Sequence, residues 1–176
     1  SHFRAMLRQA AILALACATV LACQPPDCDR NDCGSCGNAC CLVQFDIPSL
    51  NTVQAKDAML KALSDGGPDS RYRLSMTAEG TLGFADLRPY KKDVDFIGQA
   101  IHTTLTMHYN DTINWTLAPT SQNGTIITGF STSQIAGAYC DAGQNYKNVI
   151  QVVKALGVGY KESTIRGCPA PSDSWA

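Results

Sequence analysis

The sequence predicts an α+β domain: an antiparallel sheet with two main helices packed on one face, preceded by a disulfide-rich N-terminal segment. Apolar residues recur at helical spacing in 50–63 and in 146–156, and the stretches between these two alternate at strand spacing. An order of helix, several strands and helix is typical of this layered class. Ahead of it, six cysteines fall within residues 23–41.

The composition is 45% hydrophobic and 16% charged, which supplies enough apolar residues for one core of ordinary size. The net charge is -1 and there is no long run of either sign. Charge therefore gives no reason to expect nucleic acid as a partner. We divide the chain into a leader (1–22), a Cys-rich segment (23–41), an α+β domain (42–166) and an irregular tail (167–176).

The leader has the features of a secretory signal. Arg8 follows Met6, which we take as the natural start, and a short apolar run extends over 10–22 with small residues before Cys23. This pattern predicts cleavage before Cys23 and places the mature protein outside the cell or in the endomembrane lumen. The run is too short for a membrane span. An alternative is a lipid anchor at Cys23, because residues 20–23 are similar to a bacterial lipoprotein box.

The Cys-rich segment consists mainly of turn formers, so it must be held by cross-links or by a metal. Removing the leader removes Cys17 from the nine cysteines and leaves an even number, which indicates a disulfide framework. We expect the adjacent Cys40 and Cys41 to bond different partners, and Cys140 or Cys168 to tie the segment to the domain. Pairing stays open for the predicted set: Cys23, Cys28, Cys33, Cys36, Cys40, Cys41, Cys140 and Cys168.

Two alternatives use the spacing of Cys33 and Cys36, which are separated by two residues. They suit either a zinc site completed by further thiolates or a redox-active pair. A second C-x-x-C and a nearby histidine are both missing, so disulfides are favoured and we predict no metal and no cofactor.

The first part of the domain begins with a strand over 42–47 that ends at Pro48. A helix is predicted over 50–63, capped by Ser49 or Asn51 and ended by the glycines and proline at 66–68. Two strands, 72–77 and 81–87, follow across a turn, and 88–93 is a loop. Residues 94–109 fit both a helical and a strand pattern, and their threonines favour strand in the second half.

In the second part of the domain, the sequence predicts a hairpin followed by a helix. Ile113, Trp115 and Leu117 alternate in one strand, 121–124 is a tight turn, and 125–135 is the partner strand. A loop over 137–143 leads to a helix over 146–156, capped by Asn145. We expect the tail to be pinned by Cys168.

Three N-x-T sequons begin at Asn110, Asn114 and Asn123 and predict N-glycosylation of a secreted protein. The Asn114 sequon would stay unused if Trp115 anchors a strand.

Three motifs follow one another between Asn110 and Leu156: Asp111 at a strand start, FSTSQIAG over 130–137, and DAGQN over 141–145. In this order they resemble a family catalogued as domain of unknown function 1499, in which a strand reads roughly R-S-x-S-R-x-G and D-x-G-x-N opens a helix. Phe130 and Gln134 stand where that family has arginines. The family has no established activity, so the resemblance implies a fold and lends no function.

The same motifs provide the candidate site. Ser131 and Ser133 share one strand face, and with Tyr139 and Asp141 we predict that they line a small polar pocket. The alternative is a structural corner, in which Asp141 and Asn145 cap the helix.

His102 and His108 lie among threonines, and we expect both to be solvated. Motifs of the common hydrolases and phosphate-binding loops are missing. The favoured function is a secreted, disulfide-stabilised binding or structural module for an unknown protein or glycan. The alternative is a small-ligand carrier or hydrolase-like enzyme with a pocket around Ser131, Ser133 and Asp141, which a deep cavity at those residues would favour.

Overall fold

The computed structural model of the protein describes residues 39–135, 138 and 141–168. The predictions for the leader, for most of the Cys-rich segment, for Tyr139 and Cys140 and for the end of the tail lie outside these residues. The described part contains two α-helices and seven strands, all of which pair antiparallel, so the predicted α+β class is confirmed. The strands are β1 (Cys40–Ile47), β2 (Tyr72–Leu74), β3 (Phe84–Asp86), β4 (Phe96–Thr103), β5 (Asn110–Pro119), β6 (Thr125–Ser133) and β7 (Lys161–Arg166).

The sheet has the order β2-β4-β5-β6-β1-β7, and β3 also pairs with β4. Strands β5 and β6 form the predicted hairpin, in which Pro119 pairs with Thr125. The backbone N–H of Thr120 donates to the carbonyl of Gly124 at 3.0 Å, and Asn123 takes a positive φ of 62°. Asparagine tolerates that left-handed conformation better than most residues, which explains its place in this turn.

Helix α1 (Thr52–Leu63) begins two residues later than predicted. Asn51 caps it: its side chain accepts from the Gln54 backbone at 3.0 Å, and the Gln54 side chain accepts from the Asn51 backbone at 3.0 Å. This reciprocal pair is a capping box, and it selects Asn51 rather than Ser49.

Helix α2 (Gln144–Lys154) begins earlier than predicted and is preceded by Gly143, which has a φ of 78°. The prediction that Asn145 caps this helix is wrong, because Asn145 lies inside the first turn and is buried. Asp141 takes the capping role, since its carboxylate accepts from the backbone N–H groups of Gly143 at 2.9 Å and Asn145 at 2.6 Å.

The ambiguous stretch 94–109 divides into β4 and a loop over 104–109. The helical interpretation is wrong for the first half, and the strand interpretation is wrong for the second half. The chain must reverse after Thr103 because Thr103 pairs with Asn110 on the next antiparallel strand. Two bonds between Thr104 and Tyr109 close this loop at 2.8 and 2.9 Å.

The core lies between one sheet face and the two helices, around Trp115, Phe45 and Met59. Gly129 lets α2 approach the sheet closely, because a Cβ at this position would lie 2.4 Å from Val149 Cγ1. No helix within the described ranges is long and apolar enough to cross a membrane.

A disulfide joins Cys41 to Cys168, which confirms that Cys168 ties the end of the Cys-rich segment to the domain. Cys40 is also disulfide-bonded, so the two adjacent cysteines have different partners. Successive residues of a strand face opposite sides of the sheet, so the side chains of Cys40 and Cys41 point toward different partners.

Candidate functional site

A row of polar side chains crosses four strands on the face that the helices cover. Tyr72 of β2 pairs with His102 of β4, His102 pairs with Asp111 of β5, and Asp111 pairs with Ser133 of β6. Directly opposed residues in a sheet point to the same side, so these four side chains are neighbours. We call them the polar row. All four are at least nine-tenths buried.

Two asparagines of α2 bind this row to the helix. Asn148 Nδ2 donates to Asp111 Oδ2 at 2.8 Å and to Ser131 Oγ at 3.2 Å. Asn145 Oδ1 accepts from Ser131 Oγ at 2.6 Å, while its Nδ2 contacts Ser133 Oγ at 3.2 Å and Asp141 Oδ2 at 2.7 Å. Buried polar atoms need such partners, and here they fix the position of the first turns of α2.

Asp111 is the most deeply buried carboxylate that the described part of the chain shows, with 2% of its surface exposed. Burial raises the pKa of this carboxyl above its ordinary value of 3.8, while hydrogen bonds from Asn148 and Ser133 act in the opposite direction. The charge of His102 also lowers this pKa and that of Asp141 raises it. A buried acid with a raised pKa beside a cavity is a recognised mark of a functional site.

His102 lies at the other side of Asp111 in the polar row. The expectation that it is solvated is wrong, since only 1% of its surface is exposed. The reason is the strand phase: Thr103 points to the opposite face, whereas His102 points toward the helices with Ala100. Its Nε2 lies 2.9 Å from Asp69 Oδ2, and that same oxygen lies 3.2 Å from Arg71 Nη1.

Tyr72 completes the row by packing its ring against that of His102, with ring centroids 4.7 Å apart. Its hydroxyl donates to the carbonyl of Asn148 at 3.0 Å. Burial raises the pKa of this phenol, so the hydroxyl keeps its proton and remains a donor to α2. His108, in contrast, lies in the exposed 104–109 loop, as expected.

A cleft of about 780 Å³ opens beside the polar row, between the 104–109 loop and the start of α2. Its volume lies within the range of small-molecule sites. Asp111, Ser133 and Asp141 form its polar floor, and Arg71 and Gln144 also contribute. The apolar wall consists of four side chains: Leu105, Met107, Tyr109 and Ile135.

The structure places only some of the predicted site residues at the cleft. Ser133 and Asp141 line the cleft, as the pocket hypothesis requires. Ser131 is fully buried beneath it, and Tyr139 lies outside the described residues. The structural-corner hypothesis also holds in part, because Asp141 caps α2.

Sequence reasoning missed Asp111, Asn148 and the His102–Asp69 pair. One signal was available: Asp111 has the same strand phase as Ile113, Trp115 and Leu117, which form the core. A carboxylate in phase with core residues must be buried, and a buried carboxylate needs partners. The partners come from elements distant in sequence and could not be deduced from it.

Two groups that could act as a nucleophile or a base already have protein partners. The Ser131 hydroxyl is engaged by both asparagines of α2, and the His102 ring nitrogen that has a partner is held by Asp69. Within 39–135, 138 and 141–168, no three His, Cys, Asp or Glu side chains are grouped as a metal site would require.

Comparison with known proteins adds no assignment: no family model matches the chain, and no curated protein or solved structure matches it either. The resemblance of 110–156 to domain of unknown function 1499 therefore stays an expectation. The fold and the site together describe a small α+β protein with a cleft at the polar end of its sheet.

Proposed function

We propose that this is a secreted, disulfide-stabilised binding protein whose ligand is a small molecule held in the cleft beside the polar row. The observation that carries the proposal is the cleft itself, of about 780 Å³, with a buried carboxylate on its floor and apolar side chains on its wall. A mostly apolar concave surface with a few convergent polar groups is typical of ligand sites.

The distribution of exposed apolar side chains supports this location. Nine large apolar residues of the described part are exposed, and the four that form the cleft wall are among them. Leu105 and Met107 expose 66% and 61% of their surface. Apolar groups left in water next to a cavity gain free energy when a ligand covers them.

The polar floor supports binding for a second reason, its rigidity. Asp111, Ser133 and Asp141 are each bonded to an asparagine of α2, so the floor keeps its shape without a ligand. A preorganised site loses little conformational entropy when it binds.

The proposed compartment rests on the cysteines. A disulfide between Cys41 and Cys168 is stable where the environment is oxidising, as it is outside the cytosol. Asn110 and Asn123 are exposed and accessible for glycans, whereas Asn114 is buried and accepts from Gln99 Nε2 at 2.8 Å. Intact mass of the secreted protein, measured with and without reduction and deglycosylation, tests the leader, the disulfides and both glycans together.

The binding proposal is tested by backbone amide NMR of the full-length protein with three aromatic probes: naphthylmethylamine, naphthylmethanol and naphthoate. We expect at least one probe to shift the amides of 104–109, 133–135 and 141–144. Met107→Ala should weaken this binding severalfold because Met107 forms part of the wall.

Met76→Ala is the matched control, since Met76 is exposed to almost the same extent, 62%, but does not line this cleft. Binding of no probe, or shifts confined to a flat surface elsewhere, would contradict the proposal. Shifts around an exposed surface on addition of a protein or glycan, with none in the cleft, would support the other interpretation of the sequence.

A further inference from the structure

The charges that line the cleft are unequal. Arg71, Asp111 and Asp141 are its charged side chains. Arg71 is paired with Asp69, with Nη1 and Oδ2 3.2 Å apart, so its charge is balanced locally. The two carboxyl groups on the floor are bonded by neutral amides and a hydroxyl rather than by a basic side chain. The described lining of the cleft therefore has more acidic than uncompensated basic side chains.

The floor carboxylates retain hydrogen-bonding capacity. An ionised carboxylate can accept about four hydrogen bonds. Asp111 accepts from Asn148 and Ser133, and Asp141 accepts from the Gly143 backbone and from the backbone and side chain of Asn145. Each therefore has acceptor capacity left, and an ammonium group supplies three donors.

The wall next to these carboxylates suits the rest of such a ligand. Tyr109 offers an aromatic face, which attracts cations, and Met107 offers a polarisable and adaptable surface. A ligand with a cationic head and an apolar body would place the head on the floor and the body against this wall.

We infer that the ligand of the cleft is an organic cation, a protonated amine carried on an apolar body. This inference rests on the proposed function and adds the chemical class. The excess of carboxylate over compensating cation would favour an amine over a neutral or anionic molecule of the same shape.

Proton linkage provides an independent consequence. A cation beside Asp111 favours the ionised carboxylate, as His102 on the neighbouring strand does, whereas burial and the neighbouring Asp141 favour the acid. Amine binding should therefore release a proton and strengthen as the pH rises through the pKa of Asp111. Binding of a neutral probe should not show this dependence.

The three naphthyl probes test the inference because they share one apolar body and differ in charge. NMR titration of the wild-type protein should show naphthylmethylamine binding about tenfold more tightly than naphthylmethanol, with naphthoate the weakest. Asp111→Asn should bring the amine close to the alcohol. Asp57→Asn, a control on the exposed side of α1, should leave the order unchanged.

The outcomes separate the two proposals. If naphthylmethanol or naphthoate binds in the cleft as tightly as the amine, the cationic class is wrong and the binding function stands. If no probe binds, both fail. An unchanged preference for the amine in Asp111→Asn would exclude Asp111 as its source. Should this variant not fold, the amine-to-alcohol ratio of the wild-type protein and its pH dependence decide the question alone.

Discussion

The two ends of the helix-covered sheet face are equally buried but are built from opposite chemistry. At one end, Trp115 and Leu117 are fully buried among apolar neighbours. At the other end, Asp111 and His102 are as inaccessible, with 2% and 1% exposure. Asp111 accepts from Asn148, and Nε2 of His102 lies 2.9 Å from Asp69, while the buried Nδ1 of His102 has no hydrogen-bond partner among the described residues. The apolar end gains stability from burial itself, whereas the polar end offsets a desolvation cost with its bonds. The polar end borders the cleft, since Asp111 and Ser133 line it.

The largest effect is expected from Trp115→Ala at the apolar end. Removing this side chain leaves a cavity in a site with no access to water, so we expect a loss of about 3–5 kcal/mol in the free energy of unfolding. Denaturant titration measures it. Met76→Ala, at an exposed position, should change stability by less than about 0.5 kcal/mol. A similar small change for Trp115→Ala would contradict the location of the core.

Gly129→Ala tests the contact between the sheet and α2, at the position that pairs with Trp115 on the neighbouring strand. A Cβ would lie 2.4 Å from Val149 Cγ1 and 2.9 Å from Trp115 Cζ3, so the helix must move outward. Overpacking of this kind costs about 1–3 kcal/mol.

Gly159→Ala is the matched control, because a Cβ there meets nothing within 4 Å. Thermal or chemical unfolding of both variants compares them directly. Equal stabilities would show that α2 does not pack as closely as described.

Asn148→Ala probes the polar end. It removes the donor to Asp111 and Ser131, and the buried carboxylate then keeps only the Ser133 hydroxyl as a partner, which costs about 1–3 kcal/mol. The loss should be greater when Asp111 is ionised. A double-mutant cycle with Asp111→Asn should therefore show coupling between the two positions, and additive losses would indicate that the bond contributes nothing.

The smallest expected effect is a pH dependence from Asp111. Its pKa is raised in the folded state, so the unfolded chain loses this proton first as the pH rises above 3.8. The native state then holds more protons, and stability falls with rising pH until the raised pKa is passed. Asp111→Asn should lack this decline.

The measurement is the difference in unfolding free energy between wild type and Asp111→Asn across this pH range. The difference should shift in favour of the variant as the pH rises. A difference that is constant with pH would mean that Asp111 titrates alike in both states.

Local sequence signals predicted most of the fold but little of the polar end. The cap at Asn51 and the 121–124 turn depend on signals within a few residues, and these predictions are confirmed. The placement of His102 depends on which strands flank it, and that is a property of the whole sheet. Threonine neighbours suggested a solvated strand face because alternation alone does not say which face the helices cover.

The candidate site shows the same limit of prediction from local sequence, here for single residues. The motif around Asp141 and Asn145 correctly indicated a helix start. Only Asp141 caps the helix, however, and the Asn145 side chain reaches into the interior. Which of two polar residues is buried depends on packing against β6, and this contact is distant in sequence. Strand β7, mostly exposed, has no apolar alternation and gave no signal.

The bond between Cys41 and Cys168 has a topological consequence. It joins residues 127 positions apart, whose Cα atoms are 4.5 Å from each other, and so turns the domain into a covalent ring. A protease that cuts once within this ring, for example in the exposed 104–109 loop, opens the chain without separating it into two molecules. Such a nicked protein would keep its mass in a non-reducing gel and split into two fragments only after a thiol is added.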